Sequence, residues 1–119
     1  MPSPIIMFQI ATADPKASQE FYSQLFDWEF TDTEFTVAPV MIHPQGPMDF
    51  DPKGSFLQLP PGEAPYTAVF IRVADLWATI AKAEELGATI TTPISELANG
   101  AHFAMIESPE GHPMGIVQQ

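Results

Sequence analysis

The sequence contains no cysteine and only four basic residues in a chain of 119. Without cysteine there is no disulfide, no thiolate metal ligand and no thiol nucleophile. Fifteen acidic residues give a net charge of −11, which would repel the phosphates of nucleic acids and of anionic membranes. We therefore expect no nucleic-acid partner. The charge has two interpretations, a contribution to solubility or the attraction of a cationic ligand.

Long hydrophobic runs are also missing. No apolar stretch approaches the roughly 18 residues that a membrane span requires, and the first residues lack the basic region of a signal peptide. These absences predict no membrane partner and a cytoplasmic location. The hydrophobic content of 45% is typical of a globular protein, and the length fits a single domain, 1–119.

What the sequence does contain is a repeat. Asp14 opens "DPKASQEFYSQLF" and Asp75 opens "DLWATIAKAEELG", and each follows a β-prone run, "IIMFQIAT" or "YTAVFIRV". The phrases "MIHPQGPM" and "MIESPEGHPM" then repeat a strand and a Pro-Gly turn. Such self-similarity indicates a duplicated unit. It predicts an α+β fold of two tandem βαβββ modules, about 1–60 and about 66–119, joined by a stiff "PPGEAP" linker at 60–65.

The local signals place the elements of each module. We predict a strand over 5–11, whose alternation separates Phe8 and Ile10 from Met7, Gln9 and Ala11. A capped helix follows and ends at 26, with its apolar stripe on residues 17, 21, 22 and 25. In the second module a strand over 66–73 precedes a helix over 76–86, with its apolar face on residues 80, 83 and 86. Further strands are predicted in "WEFTDTEF", "TVAPVMIH" and "SFLQL", near 88–92, and over 101–107 and 113–118.

Three stretches resemble the vicinal oxygen chelate superfamily of glyoxalases, bleomycin-resistance proteins and extradiol dioxygenases. They are "FQIATADPKASQEFYSQLFDWEF", "FIRVADLWATIAKAEELGATITTPI" and "GAHFAMIESPEGHPMGIVQ". Ser108 departs from the Asp usual before the last strand, and Asp27 replaces the Gly usual after the first helix. The resemblance implies a curved mixed sheet with helices outside, two half-open cups enclosing a pocket, and a homodimer, since exposed strand edges invite pairing.

Metal-bearing members of this superfamily place a ligand on the first and last strand of each module. By that resemblance the four positions are Met7, Ala68, Gln58 and Gly115. One neutral amide cannot hold a catalytic divalent ion, so we predict no metal and no other cofactor. A register slip of two residues would bring Gln9 and Phe70 to the first-strand positions without improving the donors. A divalent metal is expected only if the register is wrong.

Four further side chains are candidates for chemistry. His43 and Glu107 end the matching phrases "MIH" and "MIE", and with His102 they are candidates for acid–base catalysis. Alternatively these three residues lie at strand ends and face water. Arg72 is predicted to point into the pocket, where it would hold a carboxylate or carbonyl, or else to pair with Glu63 or Glu107.

The predicted function is metal-free binding of a small molecule, with sequestration of a cationic drug or metabolite as a special case resembling the bleomycin-resistance proteins. Two alternatives stay open. One is a lyase, isomerase or dioxygenase of the same superfamily, using a metal or His43 and Glu107. The other is an accessory or regulatory module. The predicted ligand-binding residues are Met7, Gln9, Gln58, Phe70, Arg72 and Gly115.

Overall fold

The computed structural model describes residues 2–33, 39–44 and 53–119. The chain forms two compact units, one of Met7–Thr67 and one of Ala68–Gln119 together with the N-terminal residues up to Ile6. The elements are β1 (Ile5–Thr12), α1 (Pro15–Phe26), β2 (Glu29–Asp32), β3 (Val40–His43), β4 (Gly54–Gln58), β5 (Tyr66–Arg72), α2 (Leu76–Glu85), β6 (Thr89–Glu96), β7 (His102–Glu107) and β8 (Pro113–Gln118). The order βαβββ occurs twice, which confirms the predicted α+β fold and its repeated module.

Three of the predicted segments lie partly outside the described residues. These are the strands in "WEFTDTEF" and "TVAPVMIH" and the Pro-Gly turn of "MIHPQGPM". Within the described ranges, no helix is long and apolar enough to cross a bilayer.

In the first unit the strands lie in the order β2-β3-β4-β1. β1 and β4 are parallel, and the other neighbours are antiparallel. The face that carries Phe8 and Ile10 packs against α1, as alternation along β1 predicts. Its core consists of Val40, Ile42 and Phe56, with Phe8, Ile10, Tyr22, Trp28 and Phe30 packed against them.

Helix α1 is well capped but shallowly buried. The Asp14 carboxylate accepts the Ala17 N–H at 3.1 Å, and the helix ends at Asp27 in the left-handed conformation, with φ 62°. Only part of the predicted apolar stripe is covered, because Phe21 and Leu25 are each 57% exposed. The helix contacts the core mainly through Tyr22, whose ring stacks 5.2 Å from that of Trp28.

The second unit has the order β5-β8-β7-β6, again with one parallel pair, β5 and β8. Helix α2 contributes two buried residues, Leu76 and Ile80, to its core. Its start is fixed twice, since Asp75 accepts the Ala78 N–H and the Gln118 side chain accepts the Leu76 N–H at 2.6 Å. These bonds complete donors that a helix N-terminus otherwise leaves unpaired.

Two boundaries in this unit differ from those predicted. Strand β6 includes Pro93 and continues to Glu96. Register shifts between Ile90 and Ser95 accommodate the proline. β6 is the last strand in the sheet order, and an edge strand tolerates proline because one side of it forms no ladder. Helix α2 ends at Glu85, so Leu86 lies beyond it and is exposed rather than part of its apolar face.

The pairing of Phe70 with Gly115 gives the first testable prediction. A Cβ built on Gly115 would lie 2.5 Å from Cε1 of Phe70, whose ring is buried. Gly115→Ala is therefore expected to lower the free energy of unfolding by about 1–3 kcal/mol, the usual cost of overpacking. Urea denaturation measures it.

The Phe70→Leu variant provides the control for this clash. Combined with Gly115→Ala, it should cost clearly less than the sum of the two single changes, because the smaller side chain makes room for the new methyl group. A Gly115→Ala protein as stable as the wild type would contradict the packing described.

Candidate functional site

A row of side chains crosses the first unit on the face opposite α1. The strand registers pair Gln9 with Ser55, Ser55 with Met41, and Met41 with Thr31. Paired residues share a face, and their neighbours along each strand belong to the core under α1. Gln9 and Ser55 are buried, at 3% and 0% exposure. The first unit therefore carries a polar row, part of it buried, on the side away from its helix.

The amide of Gln9 is only half satisfied. Its Nε2 donates to Ser55 Oγ at 3.2 Å, while its Oε1 is buried and has no hydrogen-bond partner in the described part of the chain. Rotating the amide by 180° would let Oε1 accept from the hydroxyl and leave Nε2 unpaired instead. One buried polar atom stays without a partner in either orientation, at a cost of about 1–3 kcal/mol. A donor or acceptor from outside the chain would remove that cost.

His43 lies on the same face, toward the outer strands. It is half-buried at the end of β3, and its Nε2 lies 2.7 Å from Thr31 Oγ1. This contact fixes the ring relative to the row. Met41 lies two strand spacings from Gln9, and His43 lies two residues further along β3, so about 12 Å separates the backbones of His43 and Gln9.

The corresponding face of the second unit is apolar. The register pairs Phe70 with Gly115 and Gly115 with Met105, and all three residues are buried. Ala68 and Phe103 are buried as well. The structure brings two predicted site residues, Phe70 and Gly115, into contact, with the ring occupying the space beside the glycine.

The registers also correct one sequence alignment. Ser55 pairs with β1 as Gly115 pairs with β5, so Ser55, not Gln58, is the counterpart of Gly115. Gln58 is exposed and pairs with Thr12, and its Nε2 donates to the backbone oxygen of Ala13 at 3.0 Å. The sequence alone could not detect Ser55, because the parallel pairing that defines the correspondence joins residues 46 positions apart.

The remaining candidates are dispersed. Met7 is half-buried, on the same side of β1 as Gln9. His102 contacts the Trp77 ring at 5.1 Å and approaches Glu96 at 3.6 Å, so it lies beside α2. Glu107 is half-buried at the end of β7, paired with Thr89 and Pro113. It corresponds to His43, since each follows by two residues the Met that pairs with Ser55 or Gly115.

Arg72 ends β5 and its side chain is exposed. Its backbone N–H donates to Pro4 O at 3.0 Å. The structure records no ion pair between its guanidinium and an acid of residues 2–33, 39–44 or 53–119. The alternative pairings with Glu63 and Glu107 are therefore not formed in the structure.

The superfamily's metal positions can now be tested against the pairing. The implied positions Met7, Ala68, Gln58 and Gly115 offer one neutral amide, and a register slip to Gln9 and Phe70 would add one more. Ser55, which the pairing makes the counterpart of Gly115, offers a hydroxyl. The described ranges contain no group of three or more His, Asp or Glu side chains placed to hold an ion. A divalent metal normally takes several charged or imidazole ligands. The donors present do not fit one.

The comparisons agree with this fold. Residues 6–117 match the family described as glyoxalase-like domain, so the chain belongs to that family. The sequence has no match among proteins of curated function.

Solved structures with the same fold include a Streptomyces coelicolor methylmalonyl-CoA epimerase in complex with 2-nitronate-propionyl-CoA. Its TM-score is 0.67 at 17% identity, and the match covers 100% of this chain and 99% of the epimerase. A hypothetical protein of Bacillus halodurans gives 0.66 at 15% identity, with 100% and 96% coverage. The Mycobacterium tuberculosis methylmalonyl-CoA epimerase gives 0.63 at 14%, with 96% and 86% coverage. These likenesses confirm the vicinal oxygen chelate fold.

The Gln9–Ser55 pair gives the second prediction. Ser55→Ala removes the one partner of the Gln9 amide and is expected to lower the free energy of unfolding by about 1–3 kcal/mol. The double variant Gln9→Leu, Ser55→Ala removes both polar groups together. It should regain most of that loss or exceed the wild type, since no buried polar atom is then left unpaired. Urea denaturation of the four proteins gives the coupling energy.

Gln24→Leu is the matched control, because it makes the same chemical change at an exposed glutamine of α1. It should alter stability by less than about 0.5 kcal/mol. A Ser55→Ala variant as stable as the control would mean that the Gln9 amide has another partner.

Proposed function

We propose that this glyoxalase-like protein is a metal-free small-molecule-binding protein whose ligand contacts the Gln9 amide. The observation that carries the proposal is the buried polar atom of Gln9 that has no partner in the described residues. Native proteins pair nearly all their buried polar groups. A ligand that forms a hydrogen bond to this atom would explain why it is unpaired in the protein alone. The unpaired atom destabilises the unliganded protein, and that free energy is regained when the ligand binds.

The surrounding side chains suggest the chemistry of this ligand. Gln9 Oε1 would accept from an N–H or O–H group, and Met7 and Met41 on the same side would contact apolar atoms. The net charge of −11 favours a neutral or cationic molecule. A ligand about 12 Å long would reach from Gln9 to His43. The expected ligand is therefore a hydrogen-bond donor with an apolar body. A cationic drug or metabolite belongs to this class.

The epimerases of the same fold are solved with coenzyme A esters. Coenzyme A carries several phosphate charges, and this chain has only four basic residues to meet them. We therefore expect coenzyme A esters to bind poorly. They belong in the ligand panel as the contrasting class.

An enzymatic role would rest on His43. Its Nε2 is held by Thr31 on the face that carries Gln9, so a bound molecule with an acidic proton near His43 would meet an oriented base. Product analysis after long incubation with each ligand found distinguishes turnover from binding alone. Homodimer formation remains a prediction, which light scattering of the purified protein checks.

The third prediction is a thermal-shift experiment at low and high salt. The panel contains bleomycin-type cations, neutral hydrogen-bond donors and acyl-coenzyme A. A cationic or neutral member at 100 times its Kd should stabilise the protein by about 2.7 kcal/mol, and the shift for cations should decrease with salt. The Gln9→Leu, Ser55→Ala protein should lose the shift, whereas Gln24→Leu should keep it.

Two results would reject the proposal. The first is a shift that survives in the Gln9→Leu, Ser55→Ala protein. The second is near-stoichiometric Ni, Co, Zn, Mn or Fe after incubation and removal of the excess, measured by elemental analysis. Stabilisation by acyl-coenzyme A alone would contradict the predicted ligand class.

A further inference from the structure

Arg72 is the only arginine in the sequence, and its side chain is exposed to solvent. In a chain with fifteen acidic residues, a surface arginine would readily find a carboxylate. This one has no ion pair with an acid of the described ranges. Its main chain, by contrast, is fixed, because its N–H donates to Pro4 O and the next N–H, of Val73, donates to Val117 O at 2.9 Å. An exposed cation without an ion pair in the described ranges thus extends from a fixed point of the backbone.

The fold itself does not require an arginine there. Arg72 stands three residues before the helix cap Asp75, and Ala11 stands three residues before the cap Asp14 of the first module. Ala11 is small and buried, at 1% exposure. The repeated module therefore folds with a methyl group at this position, and the long charged side chain of Arg72 has no counterpart in the other copy.

A surface cavity of about 370 Å³ adjoins Arg72. All of its residues belong to the second compact unit and its N-terminal segment. They are Pro2, Ser3, Pro4, Arg72, Val73, Ala74 and Gln119. The lining thus combines proline and aliphatic residues with Arg72 and with Ser3, whose hydroxyl makes no hydrogen bond to a described residue. The volume lies at the lower end of the range for small-molecule sites, about 300–1,000 Å³.

We propose that this cavity binds a small monocarboxylate with an apolar body. Arg72 would hold the carboxylate with two parallel N–H donors, and the Ser3 hydroxyl is available as a third. The apolar body would lie against Pro2 and Pro4. A phosphate ester fits less well, because a second negative charge would be repelled more strongly by a protein of net charge −11. The site takes an anion and so differs in ligand class from the one at Gln9.

The fourth prediction uses the fact that the chain has a single arginine. Its side-chain Nε–Hε group gives one resonance in a ¹⁵N-resolved NMR spectrum, so no assignment is needed. Titration with benzoate should shift that resonance to saturation, with a Kd of about 1–10 mM, as expected for one charged contact plus a small apolar area. Acetate should bind more weakly, because it lacks the apolar body, and benzamide, which lacks the charge, should cause no saturable shift. Inorganic phosphate should compete poorly.

Two variants separate the geometry of Arg72 from the net charge of the protein. Arg72→Lys keeps the charge but removes the paired donors, so benzoate binding, followed through backbone amides of residues 72–74, should weaken by at least about threefold. Lys82→Gln removes one charge at an exposed site on α2 and should bind benzoate as the wild type does. The proposal is wrong if the arginine resonance does not saturate with benzoate. It is also wrong if benzamide binds equally well, or if Lys82→Gln weakens binding as much as Arg72→Lys.

Discussion

The parallel pairing of the first and last strands within each module determines the rest of the architecture. In the first unit it sets Gln9 beside Ser55, and in the second it sets Phe70 beside Gly115. Parallel neighbours need a long crossover, which here is one helix and two strands. Side chains far apart in sequence are thereby fixed within contact distance. The candidate site and its apolar counterpart are both products of this one constraint.

The two modules have used the same positions differently. In the first, a buried amide and hydroxyl bind each other and leave one polar atom unpaired. In the second, an aromatic ring fills the space beside a glycine, and nothing polar is left to satisfy. Polar groups in a buried place cost free energy unless they are paired, whereas a packed ring contributes to stability. Under the proposed function, these positions contact a ligand in the first module, whereas in the second they contribute only packing.

The sequence predicted the fold well because its signals are local. The two Asp caps, the proline after Asp14 and the alternation along β1 each act within a few residues, and each agrees with the structure. The candidate site was harder to predict. Gln58 seemed to occupy the last-strand position, whereas the pairing gives that position to Ser55, and no local pattern encodes a register between strands so far apart. The exposure of Phe21 and Leu25 was missed for a related reason, since helical spacing defines an apolar face but not what covers it.

Because α1 buries less of its surface than α2 does, the two helices are expected to differ in local stability. Helix α2 buries Leu76 and Ile80 and has both a carboxylate and an amide at its start, whereas α1 buries no residue fully. Segments with few buried apolar contacts open with lower free energies than the global unfolding transition. The amide protons of α1 should accordingly exchange with deuterium well before those of α2. A chain built from two copies of one module would then combine a more stable copy with one that opens more readily, and the polar row of Gln9 lies on the sheet face opposite the helix that opens first.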